Sequence, residues 1–306
     1  MTEILIGAGG WAYFQIPGFH SLEAYAKAFN FVEVNSTFYE HPEIQQVKSW
    51  RKRVPEDFEF SVRCHKDLTH KYQLEPVDEA FRTFERTVLI CRILRARILH
   101  MQTPVDLRYD RAKIQSIDNF FKRADHEGIE IAWEIRRPEN AQVPSELLKL
   151  MREHEIIHCV DLSKEEPEVE SDILYTRLFG KGTHNIYQFT DEELKEIDEK
   201  SNRREYRRAA LTFHGVKMYK DAARLKTYKL SGKFPMATGT AGPESLREVL
   251  REDAKFPATK QKLIEDQGWK IIDLTPERRV HASKLLQAIP EKIYNSIDEV
   301  IQEFPS

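Results

Sequence analysis

Cysteine is scarce. Cys64, Cys91 and Cys159 are the only three in 306 residues and form no CxxC pair, so a disulfide framework is excluded and a reducing compartment fits. No run of about 18 apolar residues exists, which excludes a membrane-spanning helix. The chain enters a strand-like run at once, without the pattern of a secretory signal, and a cytoplasmic location is expected. Neither sign of charge dominates: 47 basic residues face 50 acidic ones, for a net charge of -3. That balance excludes bulk-charge binding of nucleic acid while leaving room for a local basic site. Glycine-rich phosphate loops of the GxGxxG or GxxxxGK type are missing, which removes the common nucleotide folds. Gly7, Gly9 and Gly10 do not match that spacing and read as a tight turn. No HxH or HExxH spacing sets two metal ligands on one element.

What is present is alternation. Strand-like runs at 4–6, 31–34, 58–62, 97–101, 129–135, 156–160, 173–179 and 209–213 are separated by helical stretches at 21–29, 42–53, 77–94, 111–126, 144–154 and 191–201, with another at 219–229 after the eighth strand. The connection after the sixth strand, near 163–171, reads as irregular. Eight βα units imply a closed parallel barrel. The fold class is therefore α/β, a (βα)8 TIM barrel with a small, mainly helical C-terminal module. The boundaries expected are a barrel over 1–230, a glycine- and proline-rich linker over 231–256 with one short helix at 244–252, and a module over 257–306. Within the module, 259–267, 276–288 and 297–304 read as helices, with Ser296 as a cap for the last, and 270–273 as extended.

In such a barrel the functional face lies at the C-terminal ends of the strands. Side chains alternate along a strand, so parity identifies the inward set. Glu33 and Asn35 share one face of the second strand; Ser61, Arg63 and His65 share one face of the third. His100 and Gln102, Glu134 and Arg136, Asp161, Tyr175 and Arg177, and Thr212 and His214 follow on later strands. A purely structural core would carry branched aliphatics there, so this ring reads as a binding or catalytic site; a self-satisfied ion-pair network plugging the barrel is the alternative. Loop residues Lys66, His70, Lys71, Arg137, Lys181, His184, Lys217 and Lys220 make the face cationic, which suits a carboxylate or phosphate. His65, His70, His100, His184 and His214 with Glu33, Glu134 and Asp161 could surround a divalent ion, but the nearby arginines disfavour a cation, so the cofactor is left unknown.

These residues carry a family resemblance. The run Gly10-Trp11-Ala12-Tyr13, then Glu33-Val34-Asn35-Ser36-Thr37-Phe38-Tyr39, Phe60-Ser61-Val62, Lys66 and Thr69-His70 resembles the YecE-like family, domain of unknown function 72. Gln102-Thr103-Pro104, Glu134-Ile135-Arg136, Asp161, Tyr175-x-Arg177-x-x-Gly180 and Tyr187 continue it in order, over roughly residues 3 to 228. Where the family usually has Phe-Asn-Asn after the eighth strand, this chain has Phe213-His214-Gly215-Val216-Lys217. The resemblance implies a TIM barrel and a cytosolic protein but no settled activity. At the level of fold, the barrel is similar to endonuclease-four-type AP endonucleases and sugar isomerases.

The leading expectation is an enzyme, a hydrolase, acting on a phosphate-bearing substrate such as a nucleic-acid phosphodiester. Glu33, Glu134, Asp161, His100 and His214 are the acid–base candidates. Asn35, Arg63, His65, Lys66, His70, Gln102, Arg136, Arg177 and Lys217 are the substrate-binding candidates. Two alternatives stand beside it: a non-catalytic module that senses an anionic metabolite, and a carbohydrate hydrolase using two carboxylates. The expected partner is an anionic small molecule or nucleic-acid phosphate, with no membrane; the sequence leaves the oligomeric state open.

Overall fold

The alternating runs close into a cylinder. The computed structural model describes residues 2–126, 128–138, 141–183, 185–203 and 205–304. Its parallel strands are β1 (Glu3–Ala8), β2 (Phe31–Val34), β3 (Glu59–Arg63), β4 (Ile98–Thr103), β5 (Glu130–Ile135), β6 (Ile157–Cys159), β7 (Ile173–Leu178) and β8 (Arg208–Phe213). They pair in the order β6-β5-β4-β3-β2-β1-β8-β7. The two ends of this ladder meet at a sparse seam. There Thr176 Oγ1 donates to Val160 O at 2.7 Å, Arg177 N reaches the same carbonyl at 3.2 Å, and Leu162 N donates to Thr176 Oγ1 at 3.2 Å.

Helices α1 (Ser21–Ala28), α2 (Ile44–Lys52), α3 (Asp78–Leu94), α4 (Arg111–Phe121) and α5 (Ser145–Glu153) fill the crossovers from β1 to β6. Local chemistry sets their ends: the Asp110 side chain accepts from Lys113 N at 2.8 Å to start α4, and Arg95 closes α3 in the left-handed region at φ 57°. The connection from β6 to β7 contains no helix, as its irregular sequence implies.

Parity sorts the barrel into layers. Val32 and Val34, Phe60 and Val62, Leu99 and Met101, and Ile131 and Trp133 are buried on one face of their strands. The opposite parity supplies the interior cluster Leu5, Phe31, Ile98, Ala132, Ile157, Cys159, Ile173, Tyr175 and Ala210. Toward the N-terminal end, Arg208 donates to Glu3 Oε2 at 2.7 Å and lies 3.7 Å from Glu59 Oε1. Further along most of the inward faces the apolar set gives way to polar groups. The strand register brings those groups level, pairing Glu33 with Ser61, Arg63 with His100, Gln102 with Glu134, and Glu134 with Cys159. Gly7 serves this closure: a Cβ there would meet Phe31 O at 2.1 Å.

The eight strands, with residues 1–178 and 201–213, form one compact unit; residues 179–200 and 214–306 form a second. The second unit contains α7 (Met218–Ser231), α8 (Pro243–Asp253), α9 (Lys260–Gln267), α10 (Ser283–Leu286) and α11 (Ile297–Ile301). It also holds two short antiparallel pairs, β9 (Ala258–Thr259) with β12 (Ile293–Tyr294), and β10 (Ile271–Thr275) with β11 (Arg278–His281). Helix α6 (Asp191–Arg203) belongs to this unit up to Lys200. Leu246, Val249 and Leu250 of α8 share an apolar cluster with Leu263, Ile272, Leu286, Tyr294 and Val300. One expectation changes here. The stretch 276–288 does not form a single helix: Pro276 and Glu277 turn the chain, and Arg278–His281 pairs back on Ile271–Thr275, so a helix remains only at Ser283–Leu286. Pairing Ile272 with Val280 buries Ile272 completely, which outweighs a weak helical pattern. Ser296 caps α11 as expected, accepting from Glu299 N at 3.2 Å.

Candidate functional site

The run after β2 builds one wall of the barrel mouth. Asn35 opens a single 3-10 turn over Ser36–Phe38. The buried Thr37 hydroxyl lies 2.7 Å from Val34 O and 2.6 Å from Arg63 O, pinning the ends of β2 and β3 together. Phe38 lies under the Arg63 guanidinium, 3.6 Å from ring centroid to cation, a cation–π arrangement. Asn35 Oδ1 and Gln102 Oε1 accept from the two ends of that guanidinium at 2.7 and 2.8 Å. Arg63 is 6% exposed and its Nε–H has no hydrogen-bond partner. Among the described residues no carboxylate comes within ion-pair distance of it. Burial, and then the neighbouring Arg177, pull its pKa down to about 10. A buried cation held only by neutral oxygens is an electrostatic deficit that an anion would fill.

Behind Arg63 lies a self-satisfied network. Arg177 projects inward from β7, with Nε 3.1 Å from Glu33 Oε2, Nη2 3.1 Å from Glu33 Oε1 and Nη1 2.7 Å from Glu134 Oε2. Tyr175 donates to Glu33 Oε2 at 2.6 Å, and Ser61 Oγ lies 2.8 Å from the Tyr175 hydroxyl. Glu33 is fully buried, with both oxygens engaged. Glu134 keeps some solvent access and also pairs with Arg136 through Nε. Burial pushes the Glu134 carboxyl up, but Arg177, His100 and Arg136 together hold it well below the usual carboxylate range, so it is ionised.

His100 sits between the carboxylates, its Nε2 3.3 Å from Glu134 and its Nδ1 3.7 Å from Glu33. Both approaches lie within ion-pair range, yet neither has hydrogen-bond alignment. Its ring stacks on Tyr175 at 5.6 Å. Burial, reinforced by Arg177, outweighs the pull of Glu134 and Glu33 and lowers its pKa to about 4, leaving the imidazole neutral at pH 7. Complete burial beside a guanidinium disfavours the imidazolium, so His100 is a poor proton donor at neutral pH.

The sequence candidates thus divide. Glu33, Asn35, Arg63, His100, Gln102, Glu134, Arg136 and Arg177 are linked by direct contacts into one cluster. His70 joins its edge, 5.2 Å from the Phe38 ring, its pKa lowered by burial, Arg63 and Lys66. Lys66 is exposed at the start of the turn after β3. His65 does not point a free nitrogen at the cluster: Nδ1 accepts from Asp67 N at 3.2 Å and Nε2 faces Tyr39 O at 3.2 Å. Asp161 caps its own loop, accepting from Ser163 N at 3.0 Å and Ser163 Oγ at 2.6 Å. His214 and Lys217 belong to the second unit, where His214 stacks on Phe179 at 4.9 Å and Lys217 pairs with Glu252 at 2.5 Å. His184 lies outside the described residues. Phe38 and Cys159 were missed by a search for polar inward residues; the alternation that flagged Asp161 also points Cys159 inward, two residues earlier.

His100, Glu134 and Cys159 bring one ligand atom each within 4.8 Å of one another. They do not fit a divalent ion. Arg177 already binds the Glu134 oxygen nearest His100, and burial drives the Cys159 thiol well above its usual range, so it stays protonated. Three guanidinium groups against two carboxylates leave the cluster positive, which repels a cation and attracts an anion. Elsewhere on the barrel unit, an open groove of about 660 Å³ lined by Tyr109, Ile114, Asp118, Lys149 and Leu150 gathers no comparable buried charge.

A family model described as "Protein of unknown function DUF72" matches residues 5–237. The chain is 34% identical over 83 residues to the UPF0759 protein YecE of Escherichia coli K12. That match covers 26% of this chain and only 30% of the relative. Two solved structures share the fold. A DUF72 family protein from Thermotoga maritima superposes with a TM-score of 0.59 at 20% identity, over 75% of this chain and 100% of that one. Another from Enterococcus faecalis gives 0.56 at 17% identity, over 76% and 98%. Among the described residues no helix is long and apolar enough to cross a membrane.

Proposed function

Since this chain belongs to the DUF72 family, whose description assigns no reaction, we propose a function from the barrel mouth itself: binding and hydrolysis of a phosphate-bearing substrate. The observation that carries the reading is Arg63, buried, stacked on Phe38 and held by two amide oxygens, with no carboxylate in ion-pair contact among the described residues. Arg63 and Arg136 hold the phosphate oxygens. Arg177, saturated by Glu33 and Glu134, keeps the carboxylates in place. Glu134 acts as an acceptor that orients the attacking water: a carboxyl held this far below its ordinary value is a weak general base but a dependable hydrogen-bond acceptor. A nucleic-acid phosphodiester is one substrate of this class. The saturation of both Glu33 oxygens leaves that carboxylate poorly placed for a second catalytic role and weighs against the carbohydrate-hydrolase reading.

Thermal melting in phosphate and in chloride at equal ionic strength tests the anion site. Phosphate at about 100 times its Kd adds about 2.7 kcal/mol by mass action, roughly 5 °C for a chain of this size. Arg63→Gln is expected to abolish the difference; an equal shift in wild type and variant, or none in wild type, refutes the site. Among phosphodiester and phosphomonoester substrates that turn over, Glu134→Gln should lower kcat while leaving the phosphate-dependent shift intact. Binding of phosphate without turnover of any phosphorylated compound would favour the sensor reading, in which the same pocket reports an anionic metabolite.

A further inference from the structure

In the run from Asn35 to Tyr39 the fold explains the polar anchors and the buried ring, and leaves one large side chain unexplained. Asn35 binds Arg63, Thr37 ties β2 to β3, and Phe38 carries the guanidinium. The Tyr39 ring packs edge-on to Phe38 at 5.1 Å but is 63% exposed. Its backbone is nevertheless held firmly. Asp67 N donates to His65 Nδ1, so that nitrogen carries no proton; the proton sits on Nε2, which donates to Tyr39 O at 3.2 Å. The His65 tautomer is thus set by two main-chain groups, and Tyr39 is held on the rim one residue from the shelf of Arg63. A second exposed ring stands on the loop after β1, the strand paired with β2. Tyr13 is 84% exposed between two anchored neighbours, Trp11 against Trp50 at 5.2 Å and Phe14 against Tyr25 at 5.5 Å.

We propose that Tyr39 is a substrate-contacting residue that stacks on a ring carried by the same molecule whose anionic group rests on Arg63, so that the substrate is a phosphorylated ring compound, a sugar phosphate or a nucleotide. The inference rests on the anion reading of Arg63 and extends it. An exposed aromatic face whose backbone is fixed loses little freedom on binding and offers its face to a sugar or a nucleobase alike. His65 is then a positioning residue, acting through the Tyr39 carbonyl. Tyr13 forms a second aromatic element of the same rim.

Calorimetric titration of the full chain with inorganic phosphate, ribose 5-phosphate, adenosine 5′-monophosphate and adenosine tests this. Tyr39 is exposed, so Tyr39→Ala is expected to fold, and Tyr39→Phe serves as the conservative control. At least one ring phosphate should bind wild type more tightly than inorganic phosphate, by on the order of tenfold for a stacked base. Tyr39→Ala should erase that advantage, Tyr39→Phe should keep it, and the affinity for inorganic phosphate should stay the same in all three proteins. Equal affinities of the two ring phosphates identify the sugar as the stacked ring; tighter binding of the nucleotide identifies the base. The proposal is overturned if ring phosphates bind no better than phosphate, or if their advantage survives Tyr39→Ala. Failure of the underlying anion reading looks different: inorganic phosphate does not bind, or binds Arg63→Gln equally well, while adenosine still binds in a Tyr39-dependent manner.

Discussion

Replacing Arg177 with methionine removes a cation that reaches both inward carboxylates. The side chain is 2% exposed and its Nε and Nη2 grip Glu33, which is itself fully buried. Methionine fills much of the volume, so packing survives, but Glu33 loses the guanidinium that grips both its oxygens. Breaking a buried pair from one side costs about 3–5 kcal/mol, or roughly 6–10 °C in Tm at this chain length. The loss should depend on pH with a definite sign. In the variant, burial without Arg177 raises the folded pKa of Glu33 above its unfolded value of about 4.3. Its penalty is present at neutral pH and fades as pH falls through that raised value, because a protonated carboxyl tolerates burial. In wild type, Glu134 is held well below its usual range, so its contribution is present above about 4.3 and lost as pH falls through its lower folded value. The Glu33 effect narrows the gap by pH 5; the Glu134 effect narrows it only below about 4.3. Urea unfolding at pH 7 and pH 5, followed by far-UV circular dichroism, measures it; the two units should be fitted separately if they melt apart. Glu33→Gln placed in the Arg177→Met background should restore part of the loss, because it removes the stranded charge. A cost below about 1 kcal/mol, or a double variant as unstable as the two single losses added together, would refute the reading of Arg177 as the keystone of this network.

Burial also holds other histidines low. His158 is lowered to about 4 by burial and by Arg137, and His41 to about 4 by burial, His65 and Arg86. Because the unfolded chain takes up protons that the buried rings refuse, stability should rise with pH between about 4 and 6.5, by up to roughly 3 kcal/mol for His100 alone. Proton NMR should show the His100 and His158 rings flat from pH 7.5 to 5.5; a midpoint near 6.5 for either overturns this. The segment after Leu230 is expected to be separable. Truncation there strips Ile271 N from Gln188 and Arg279 from Asp191, so the melting temperature should fall. The remaining chain should stay monodisperse by size exclusion and melt cooperatively, and an aggregated product would count against separability.

The barrel was legible because its periods are clean. Valines 32 and 34 against Glu33 and Asn35, and Phe60 and Val62 against Ser61 and Arg63, state which side faces in before any coordinate is known. Parity could not state how far along the strand the interior turns from apolar to charged, nor which charges cancel. Glu33 and Glu134 look alike in sequence, yet one is fully buried and the other keeps solvent access, because Tyr175 and Arg177 converge on Glu33 from a strand 142 and 144 residues away. The pKa of His100 was hidden for a related reason: it is a property of its surroundings, and those come from three other strands, β2, β5 and β7. Phe38 is named in the sequence only as part of a motif, and only the structure shows a guanidinium lying on it. The hairpin at Arg278–His281 was missed because a run with charges at helical spacing gave no hint of the partner strand it would find.

The seam between β6 and β7 has a consequence for how the chain could be re-cut. Seven of the eight joints in the cylinder are strand ladders; the eighth rests on one bridge and the Thr176 hydroxyl. New chain ends placed in the loop from 163 to 171 would interrupt no ladder, so a circular permutant opened there should be tolerated better than one opened in any crossover that carries a helix. The same joint is where amide exchange by transient opening should be fastest among the strands, and it adjoins Arg177. A breathing motion at the seam would therefore be felt first at the guanidinium that holds the two carboxylates together.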